Sequence, residues 1–330
     1  MASLLIYGAT GYTGRLIVEY AKSIQLPFLI AGRNKEKAEA YANTANLACR
    51  VFDLDTPHDV DQGLKNMTVL LNCAGPFLYT AKPLIEACLR NGVHYLDTAA
   101  ELDSYRLAQE LDEEAVRRNV MMLPGCGGSV TMLGFLARHA LGHVHGPQSI
   151  DIALHASGPM SKGSAISAKE NMSTECLERA SGILQQVDEA TTAIFDFADG
   201  RGAVISHQFT LADVITLWKL TSVKNIRTFI NVSGDPSPIP DLESLPDGPT
   251  HAQRQSNPYS AAILVTGDDE TVIRAVLHTV NGYTFTALAS VEAARRVLAD
   301  EMKPGFQTSA GVFQSDFLEC IPETRIEFQK

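Results

Sequence analysis

The stretch that decides the fold is residues 3–14, SLLIYGATGYTG, near the start of the chain. Its apolar run ends at Gly8, and a glycine-rich turn then leads into the helical pattern of residues 15–21. A buried strand, a tight turn and an amphipathic helix within about 20 residues are typical of the opening of a βαβ unit. This stretch therefore predicts the first strand and helix of a parallel sheet.

The glycines of this turn follow the spacing G-x-x-G-x-x-G, at Gly8, Gly11 and Gly14. Glycine permits a tight turn and a close approach of the backbone to a phosphate, and the helix N-terminus directs free N–H groups at the anion. Thr10 and Thr13 add hydroxyl donors. The pattern favours a phosphate-binding loop, although glycine-rich strand-to-helix turns also occur without a ligand.

Six short apolar strands alternate with helical patterns over the first 125 residues or so. After the opening strand they are expected at residues 27–31, 49–52, 68–73, 93–97 and 120–123. This alternation predicts an α/β fold of the Rossmann type, a doubly wound parallel sheet with right-handed crossovers. The Rossmann domain is expected to span residues 1–130.

The second half of the chain changes character. Alternating patterns predict strands at residues 150–155, 193–197, 203–209, 227–232 and 261–266, and a long helix is expected over 165–186. This combination predicts an α+β domain with a mainly antiparallel sheet, residues 131–287, for substrate binding or dimerisation.

Two later segments are predicted separately. Residues 235–258 are rich in proline and polar residues, which favours a loop or lid. A helix over residues 290–303 is expected to return to the first domain, so that residues of about 288–330 complete it.

The composition excludes several classes of function. The 330-residue chain has a formal net charge of -11, which argues against a broad nucleic-acid or anionic-membrane surface. It contains no apolar stretch long enough to span a bilayer and begins without a basic leader, so we expect a cytoplasmic protein. Six scattered cysteines without a C-x-x-C pair predict neither a metal site nor a disulfide framework. The expected partners are a small-molecule substrate and a second copy, bound through the antiparallel sheet.

The end of the second strand bears on the choice of cofactor. An acidic residue there binds the ribose 2′-OH of NAD, but this chain has Arg33 instead, with Lys35 and Lys37 behind it. A guanidinium suits a 2′-phosphate, so NADP is favoured over NAD. The simpler interpretation is a solvated helix start, because Asn34 is a good N-cap; the two are compatible.

The ends of the third and fourth strands face the same crevice. Asp53 can reach the adenine amino group, or it can cap the helix that starts near Pro57. Gly75 and Pro76 allow the backbone to pass close to the ribose and nicotinamide. Phe77 and Tyr79 are expected to flank the ring, with plain packing as the alternative.

Several motifs together resemble the saccharopine-dehydrogenase-like NADP-binding family, which includes trans-acting enoyl reductases. They are GATGYTG at 8–14, AGRN at 31–34, NCAGPF at 72–77, ACLRNGVHYLDTAAE at 87–101 and PGCGG at 124–128, with GFQTSAGVF at 305–313 similar to a C-terminal motif of the family. The resemblance is dense over the first 130 residues and thin between 150 and 285. This chain has GGSVT at 127–131, where many members carry an acidic residue and a Pro-Ser-Asp run.

The resemblance implies NADPH in the crevice, with the glycine turn, Arg33 and Asn34 around the diphosphate and ribose and residues 74–77 along the nicotinamide ribose. Residue patterns and resemblance together predict these cofactor-binding residues: Gly8, Ala9, Thr10, Gly11, Tyr12, Thr13, Gly14, Arg33, Asn34, Asp53, Ala74, Gly75, Pro76 and Phe77.

The predicted chemistry is hydride transfer from NADPH to an imine, an activated alkene or a carbonyl, with a proton supplied by the protein. Tyr79 is the first candidate donor, since a phenol stays protonated at neutral pH. Lys162 is the second, although a lysine in that turn more often only solvates a loop. Tyr95, Asp97, Cys126 and Ser161 are further candidates. Two other functions stay open: an NADP-binding sensor without turnover, and a reductase that acts in trans on a substrate carried by a biosynthetic synthase.

Overall fold

A parallel sheet forms the first half of the molecule. The computed structural model describes residues 3–170, 175–233, 242 and 245–329. The sheet has seven strands in the order β15-β6-β5-β4-β1-β2-β3. Its strands are β1 (Leu4–Tyr7), β2 (Phe28–Gly32), β3 (Cys49–Val51), β4 (Val69–Asn72), β5 (His94–Asp97), β6 (Met121–Leu123) and β15 (Gly305–Phe306).

The strands of this sheet form because their apolar runs are covered on both faces. β1, β4 and β6 are buried at every position, as expected for a parallel sheet between two helix layers. The helices of this half are α1 (Tyr12–Ser23), α2 (Lys35–Ala45), α3 (Pro57–Leu64), α4 (Phe77–Asn91), α5 (Leu102–Glu110), α6 (Asp112–Arg117) and α7 (Ser129–Leu141). The predicted doubly wound α/β fold is confirmed.

A second, nine-stranded sheet follows. Its main path is β10-β11-β12-β7-β13-β14-β16, with β8 pairing with β12 and β9 pairing with β8. The strands are β7 (Ser149–Ser157), β8 (Cys176–Ala180), β9 (Ile183–Val187), β10 (Thr192–Asp196), β11 (Ala203–Gln208), β12 (Asn225–Ser233), β13 (Tyr259–Thr266), β14 (Val272–Thr279) and β16 (Arg325–Gln329). Among the described residues of this sheet, β7 and β12 pair in parallel and all other neighbouring strands pair antiparallel. The sheet is therefore mixed, and mainly antiparallel as predicted.

One hydrophobic core joins the two sheets. Helix α7 is buried along most of its length, and the same cluster contains Ile6 of β1, Leu133 of α7, Ile152 of β7 and Phe317 near the C-terminus. The remaining helices are α8 (Lys162–Glu170), α9 (Asp213–Thr221), α10 (His251–Gln255), α11 (Gly282–Leu298), α12 (Ser309–Val312) and α13 (Asp316–Glu319). The predicted domain boundaries and the homodimer stay predictions.

The predicted long helix over residues 165–186 is wrong. Helix α8 ends at Glu170, residues 171–174 lie outside the described part, and β8 and β9 then form a hairpin around Ser181 and Gly182. Both turn residues have positive φ, 51° and 84°, which is the backbone of a two-residue hairpin turn. Buried Arg179 stabilises the hairpin by donating to the carbonyls of Val214 and Gly182.

The helix predicted over residues 290–303 differs from α11 in both bounds. Helix α4 starts six residues before Pro83, because Glu101 accepts a hydrogen bond from the Leu78 N–H in its first turn. Helix α11 starts at Gly282, where the Asn281 side chain caps it, and ends at Leu298. Helices α5 and α6 are separated by a break at Leu111. Of the predicted loop over 235–258, residues 235–241 and 243–244 lie outside the described part, and the rest contains α10.

Candidate functional site: a nucleotide-binding crevice

The crevice lies where the carboxyl ends of β1 and β4 meet. Strand β1 pairs with β2 on one side and β4 on the other, so the connections leave in opposite directions at this point, which is where doubly wound sheets bind ligands. Gly8 follows β1 with φ of 82°, and a Cβ placed on it would lie 2.7–2.8 Å from Ala74 atoms. Glycine is therefore required at this position, because the loop after β1 packs directly on the loop after β4.

The N-terminus of α1 directs unbonded amides into this crevice. Gly14 packs so closely on the Gly8 carbonyl that a Cβ there would overlap it. Gly11, the N-cap residue, offers no capping side chain. Within the described part of the chain, the N–H groups of Tyr12, Thr13 and Gly14 have no hydrogen-bond acceptor. Three free N–H groups at a helix N-terminus fit the diphosphate of a dinucleotide.

The end of β2 presents an exposed cation. Arg33 has no ion-pair partner among the residues that the structure describes. Asn34 caps α2 as predicted, its Oδ1 accepting from the Lys37 N–H at 2.9 Å. Arg33 and Asp53 both act on Tyr7: burial raises the pKa of its hydroxyl to about 12, Arg33 opposes this and Asp53 adds to it.

A groove runs beside this cation. It has a volume of about 650 Å³, and Arg33, Phe52 and Asp53 are among its lining residues. Asp53 does not cap α3, whose N-cap is Thr56; its Oδ1 accepts from the Asp55 N–H at 3.1 Å. The residues predicted at the ends of β2 and β3 therefore line one groove.

The loop after β4 is held in place by Asn72. Its Oδ1 accepts from the Ala74 N–H at 3.0 Å, and its Nδ2 donates to Thr80 Oγ1 at 3.1 Å and Tyr95 Oη at 3.3 Å. Thr80 Oγ1 donates to the Ala74 carbonyl at 2.7 Å. Because Ala74 is held at both its N–H and its C=O, the backbone of residues 74–77 has a fixed path along the crevice.

Asp97 holds the next two loops. It is fully buried, its Oδ1 accepts from the Gly125 and Ala99 N–H groups at 2.7 and 2.9 Å, and its Oδ2 accepts from Tyr95 Oη at 2.8 Å. Burial raises the pKa of the Asp97 carboxyl to about 6, against the lowering effect of these hydrogen bonds. Tyr95 and Asp97, which the sequence offers as proton donors, therefore connect the ends of β4, β5 and β6.

The two preferred proton donors occupy different positions. Tyr79 is the third residue of α4 and is 62% exposed. Lys162 is the first residue of α8 and is half-buried; its N–H donates to the Asp247 carbonyl at 3.2 Å. Neither side chain hydrogen-bonds another described residue. Phe77 is the first residue of α4 and is buried in the core, which agrees with the packing alternative for this residue.

Glu101 is a residue that the sequence reasoning missed as part of the site. It is 6% exposed; Oε2 accepts from the Leu78 N–H at 2.8 Å, while buried Oε1 has no partner in the described part of the protein. A carboxylate at the first turn of α4 stabilises that helix end. Its position four residues after the end of β5 was the available signal, since residues that follow a parallel strand reach the crevice.

Helix α8 lies against the loop after β4. Tyr283 Oη accepts from the Ser161 N–H at 2.7 Å and donates to Ser164 Oγ at 3.0 Å. A Cβ on Gly75 would lie 3.5 Å from Ser167 Oγ. The second sheet therefore contributes a helix that closes the end of the crevice opposite to Arg33. Of the other predicted donors, Cys126 is fully buried and burial raises its thiol pKa well above the usual value.

Comparisons with known proteins agree with this geometry. The family model described as saccharopine dehydrogenase NADP binding domain matches residues 4–123. Residues 4–123 are thus similar to the NADP-binding domain of saccharopine dehydrogenase. This confirms the predicted resemblance, and NADP is the cofactor of the matched domain, as predicted.

Two curated relatives match the same part of the chain. The human saccharopine dehydrogenase-like oxidoreductase is 29% identical over 144 residues, covering 38% of this chain and 34% of the human protein. The trans-acting enoyl reductase of Mycobacterium leprae is 27% identical over 132 residues, covering 38% of this chain and 32% of that protein. The matching segment thus spans about a third of the length of these saccharopine dehydrogenase-like relatives.

Two solved structures share the fold over nearly the whole chain. Saccharopine dehydrogenase (L-Glu forming) from Saccharomyces cerevisiae has a TM-score of 0.65 at 10% identity and covers 100% of both chains. Homospermidine synthase from Legionella pneumophila, in complex with NAD, also has a TM-score of 0.65 at 10% identity, covering 99% of this chain and 91% of that one. At these identities the likeness shows the fold alone.

Two further kinds of feature are absent from the described residues. They contain no helix long and apolar enough to cross a membrane and no group of three or more His, Cys, Asp or Glu side chains arranged for a metal ion. The six cysteines are free thiols. The cytoplasmic location stays a prediction, and one relative is named as a lipid droplet localized protein.

Proposed function

We propose that this protein is an NADPH-dependent oxidoreductase that transfers a hydride to a small organic acceptor: an imine, an activated alkene or a carbonyl. The observation that carries the proposal is the crevice itself, in which the free amides of Tyr12, Thr13 and Gly14 face the loop at Ala74. When bound, NADPH supplies the hydride. The chain's own residues bind the dinucleotide, orient it and provide a proton.

Arg33 is proposed to bind the 2′-phosphate. Its guanidinium is exposed beside the adenosine groove and has no carboxylate partner among the described residues. A charge-assisted, paired contact between guanidinium and phosphate favours NADP over NAD.

Residues 74–77 are proposed to run along the nicotinamide ribose. Their fixed path, set by Asn72 and Thr80, supports this assignment. A rigid loop positions the reacting carbon of the nicotinamide without an ordering cost at the time of reaction.

Tyr79 is the first proposed proton donor and Lys162 the second. Both follow segments that border the crevice, and the exposed phenol of Tyr79 is free to reach a bound acceptor. With an acceptor identified, Tyr79→Phe should lower kcat about 10²–10⁴-fold, the usual contribution of a positioned general acid, and leave the Kd for NADPH unchanged. Lys162→Ala is the matched test. If Lys162→Ala loses all activity while Tyr79→Phe stays active, Lys162 is the proton donor and Tyr79 is not.

The acceptor is proposed to carry an apolar portion. Leu78, Tyr79 and Met160 are large exposed hydrophobic side chains next to the nicotinamide loop and to α8. The sequence shows no arginine cluster there to hold several carboxylates, so saccharopine is not the proposed substrate.

The proposal is tested by incubating the protein with NADPH and a panel of imines, enones and ketones while NADPH absorbance is followed. Oxidation that depends on one acceptor class supports the reductase. Tight NADPH binding without oxidation of any acceptor favours the non-catalytic sensor. The remaining alternative is a reductase that acts in trans on a substrate carried by a biosynthetic synthase, and the Mycobacterium leprae relative supports it. Co-purification of this protein with such a synthase would favour that alternative.

A further inference from the structure

A segment from the second half of the chain lies on the glycine loop. We name residues 245–258 the cover segment, which includes α10. Tyr12, the first residue of α1, donates from Oη to the Pro249 carbonyl at 2.5 Å. Gly248 lies over the Tyr12 ring so closely that a Cβ there would be 2.6 Å from ring carbons. The phosphate-binding loop therefore has direct contacts with the cover segment.

Arg254 is the cation of this contact. Its Nη1 donates to Tyr12 Oη at 2.8 Å and to the Pro249 carbonyl at 2.9 Å, and the guanidinium carbon lies 6.0 Å from the Tyr12 ring centroid. Its Nε is buried and has no partner among the described residues. No carboxylate pairs with Arg254 in the described ranges, whereas nearby Asp247 pairs with Arg15 at 4.0 Å. The guanidinium thus keeps N–H groups free beside the glycine loop.

The position of Arg254 is fixed from both sides. Thr250 and Gln253 form a capping box at the start of α10, which holds that short helix in place. The Tyr12 ring also meets the Tyr283 ring edge-on, 5.3 Å between centroids. The Arg254 guanidinium is therefore held beside Tyr12, the first residue of α1.

We propose that the cover segment is a clasp over the bound dinucleotide and that Arg254 binds its diphosphate. The inference rests on the proposed cofactor site. A diphosphate carries two negative charges, and the loop beneath it provides amide dipoles without a charged side chain of its own. Arg254 adds a full positive charge in paired N–H geometry, and the Tyr12 hydroxyl keeps the clasp closed.

The test distinguishes binding of the diphosphate by Arg254 from binding of the 2′-phosphate by this residue. Fluorescence titrations with NADPH and NADH are compared for the wild type, Arg254→Ala, Arg254→Lys, Arg33→Ala and Gln255→Ala. Arg254→Ala should raise the Kd of both nucleotides to a similar extent, about 10-fold or more, with partial recovery in Arg254→Lys. Arg33→Ala should raise the Kd of NADPH alone. Gln255→Ala, an exposed position on the same helix, is the control and should bind as the wild type does.

A fragment titration gives a second readout. Adenosine 2′-monophosphate contains no part of the diphosphate, so its Kd should respond to Arg33→Ala and not to Arg254→Ala. Tyr12→Phe removes the hydroxyl that holds Pro249 and Arg254, and stopped-flow measurement should show faster release of NADPH. Thermal melts of each variant identify a loss of binding that comes from unfolding.

The outcomes distinguish the two proposals. A wild type that binds neither nucleotide overturns both. Wild-type binding with an Arg254→Ala variant that matches Gln255→Ala overturns the clasp alone. A loss confined to NADPH, or a loss for adenosine 2′-monophosphate, also overturns it, because Arg254 would then act at the 2′-phosphate.

Discussion

At the scale of single residues, the two arginines beside the crevice have separate roles in the proposals. Arg33 is solvent-exposed and belongs to the first half of the chain, while Arg254 is held by Tyr12 and Pro249. Because one lies after β2 and the other over α1, we propose that they bind different phosphates of the same dinucleotide. Cofactor choice and cofactor retention are thus assigned to different side chains.

Replacing Arg33 by alanine should change the preference between cofactors. The loss of a charge-assisted contact to the 2′-phosphate is expected to weaken the binding of NADPH by about 1.5–3 kcal/mol, which is about 10–150-fold in Kd. NADH lacks that phosphate and should change little. Titration of both nucleotides measures this, with Arg325→Ala on β16 as the control for the loss of one positive charge. Equal weakening of NADPH and NADH would exclude the assignment.

Asp213 is expected to make stability depend on pH. It is fully buried at the start of α9, neither carboxylate oxygen has a partner among the described residues, and burial raises its pKa from 3.8 to about 7. Because the unfolded state ionises first, the contribution of Asp213 is complete below pH 4, falls as the pH rises to about 7, and is constant above that. The fall amounts to about 4 kcal/mol.

Asp213→Asn should remove this fall. Urea unfolding at pH 5 and pH 8 is the measurement, and the variant is expected to be more stable than the wild type at pH 8. Asp188→Asn, at an exposed position, is the control for a lost charge. If the wild type and Asp213→Asn show parallel pH profiles, Asp213 is not the group responsible.

At the scale of elements, the function depends on how closely α1 approaches the loop after β1. Gly14 packs on the Gly8 carbonyl and lies 2.9 Å, measured from an added Cβ, from Ala9 Cα. The helix cannot approach in this way with a larger residue. The three free amides and the Ala74 loop face the same space only because of this contact.

Gly14→Ala should therefore damage both stability and binding. Overpacking at this contact is expected to cost about 1–3 kcal/mol and to shift the first turn of α1, so that NADPH affinity falls at least 10-fold. Urea unfolding and titration measure the two effects. Gly163→Ala in α8, where an added Cβ has its nearest neighbour 3.9 Å away, should leave stability unchanged or improved. A Gly14→Ala variant that behaves like it would contradict this account.

At the scale of the whole molecule, the two sheets share one core and one crevice. Strand β15 and helix α11 come from the C-terminal part of the chain and pack with the parallel sheet, while α7 connects that sheet to the second one. Unfolding of either half exposes the core of the other. We therefore expect the chain to unfold as one cooperative unit.

NADPH should stabilise both halves together. At 100 times its Kd it contributes about 2.7 kcal/mol, and Tm should rise by about 3–8 °C. The single tryptophan, Trp218, packs against Arg179 in the second half. The Tm measured by Trp218 fluorescence should therefore rise by the same amount as the Tm measured by circular dichroism of the whole chain. A shift seen by dichroism alone would show that the halves unfold separately.

Local patterns in the sequence predicted much of this molecule. The glycine spacing of residues 8–14 predicted the turn and the helix after β1, and the apolar runs predicted six parallel strands, because periodicity and chain reversal depend on neighbouring residues. Asn34 was correctly predicted as the cap of α2 for the same reason. The helix predicted over 165–186 failed, since the Ser181–Gly182 turn and the contacts of Arg179 with α9 outweigh local helix propensity.

What the sequence determined by itself is the strand, turn and helix that form the phosphate loop, and with them the Rossmann-type sheet. The tertiary structure alone decided what meets that loop. Tyr12 and Pro249 are 237 residues apart in the chain and hydrogen-bond in the fold. No local pattern encodes such a pair, because its partners are brought together by the packing of two sheets on a shared core.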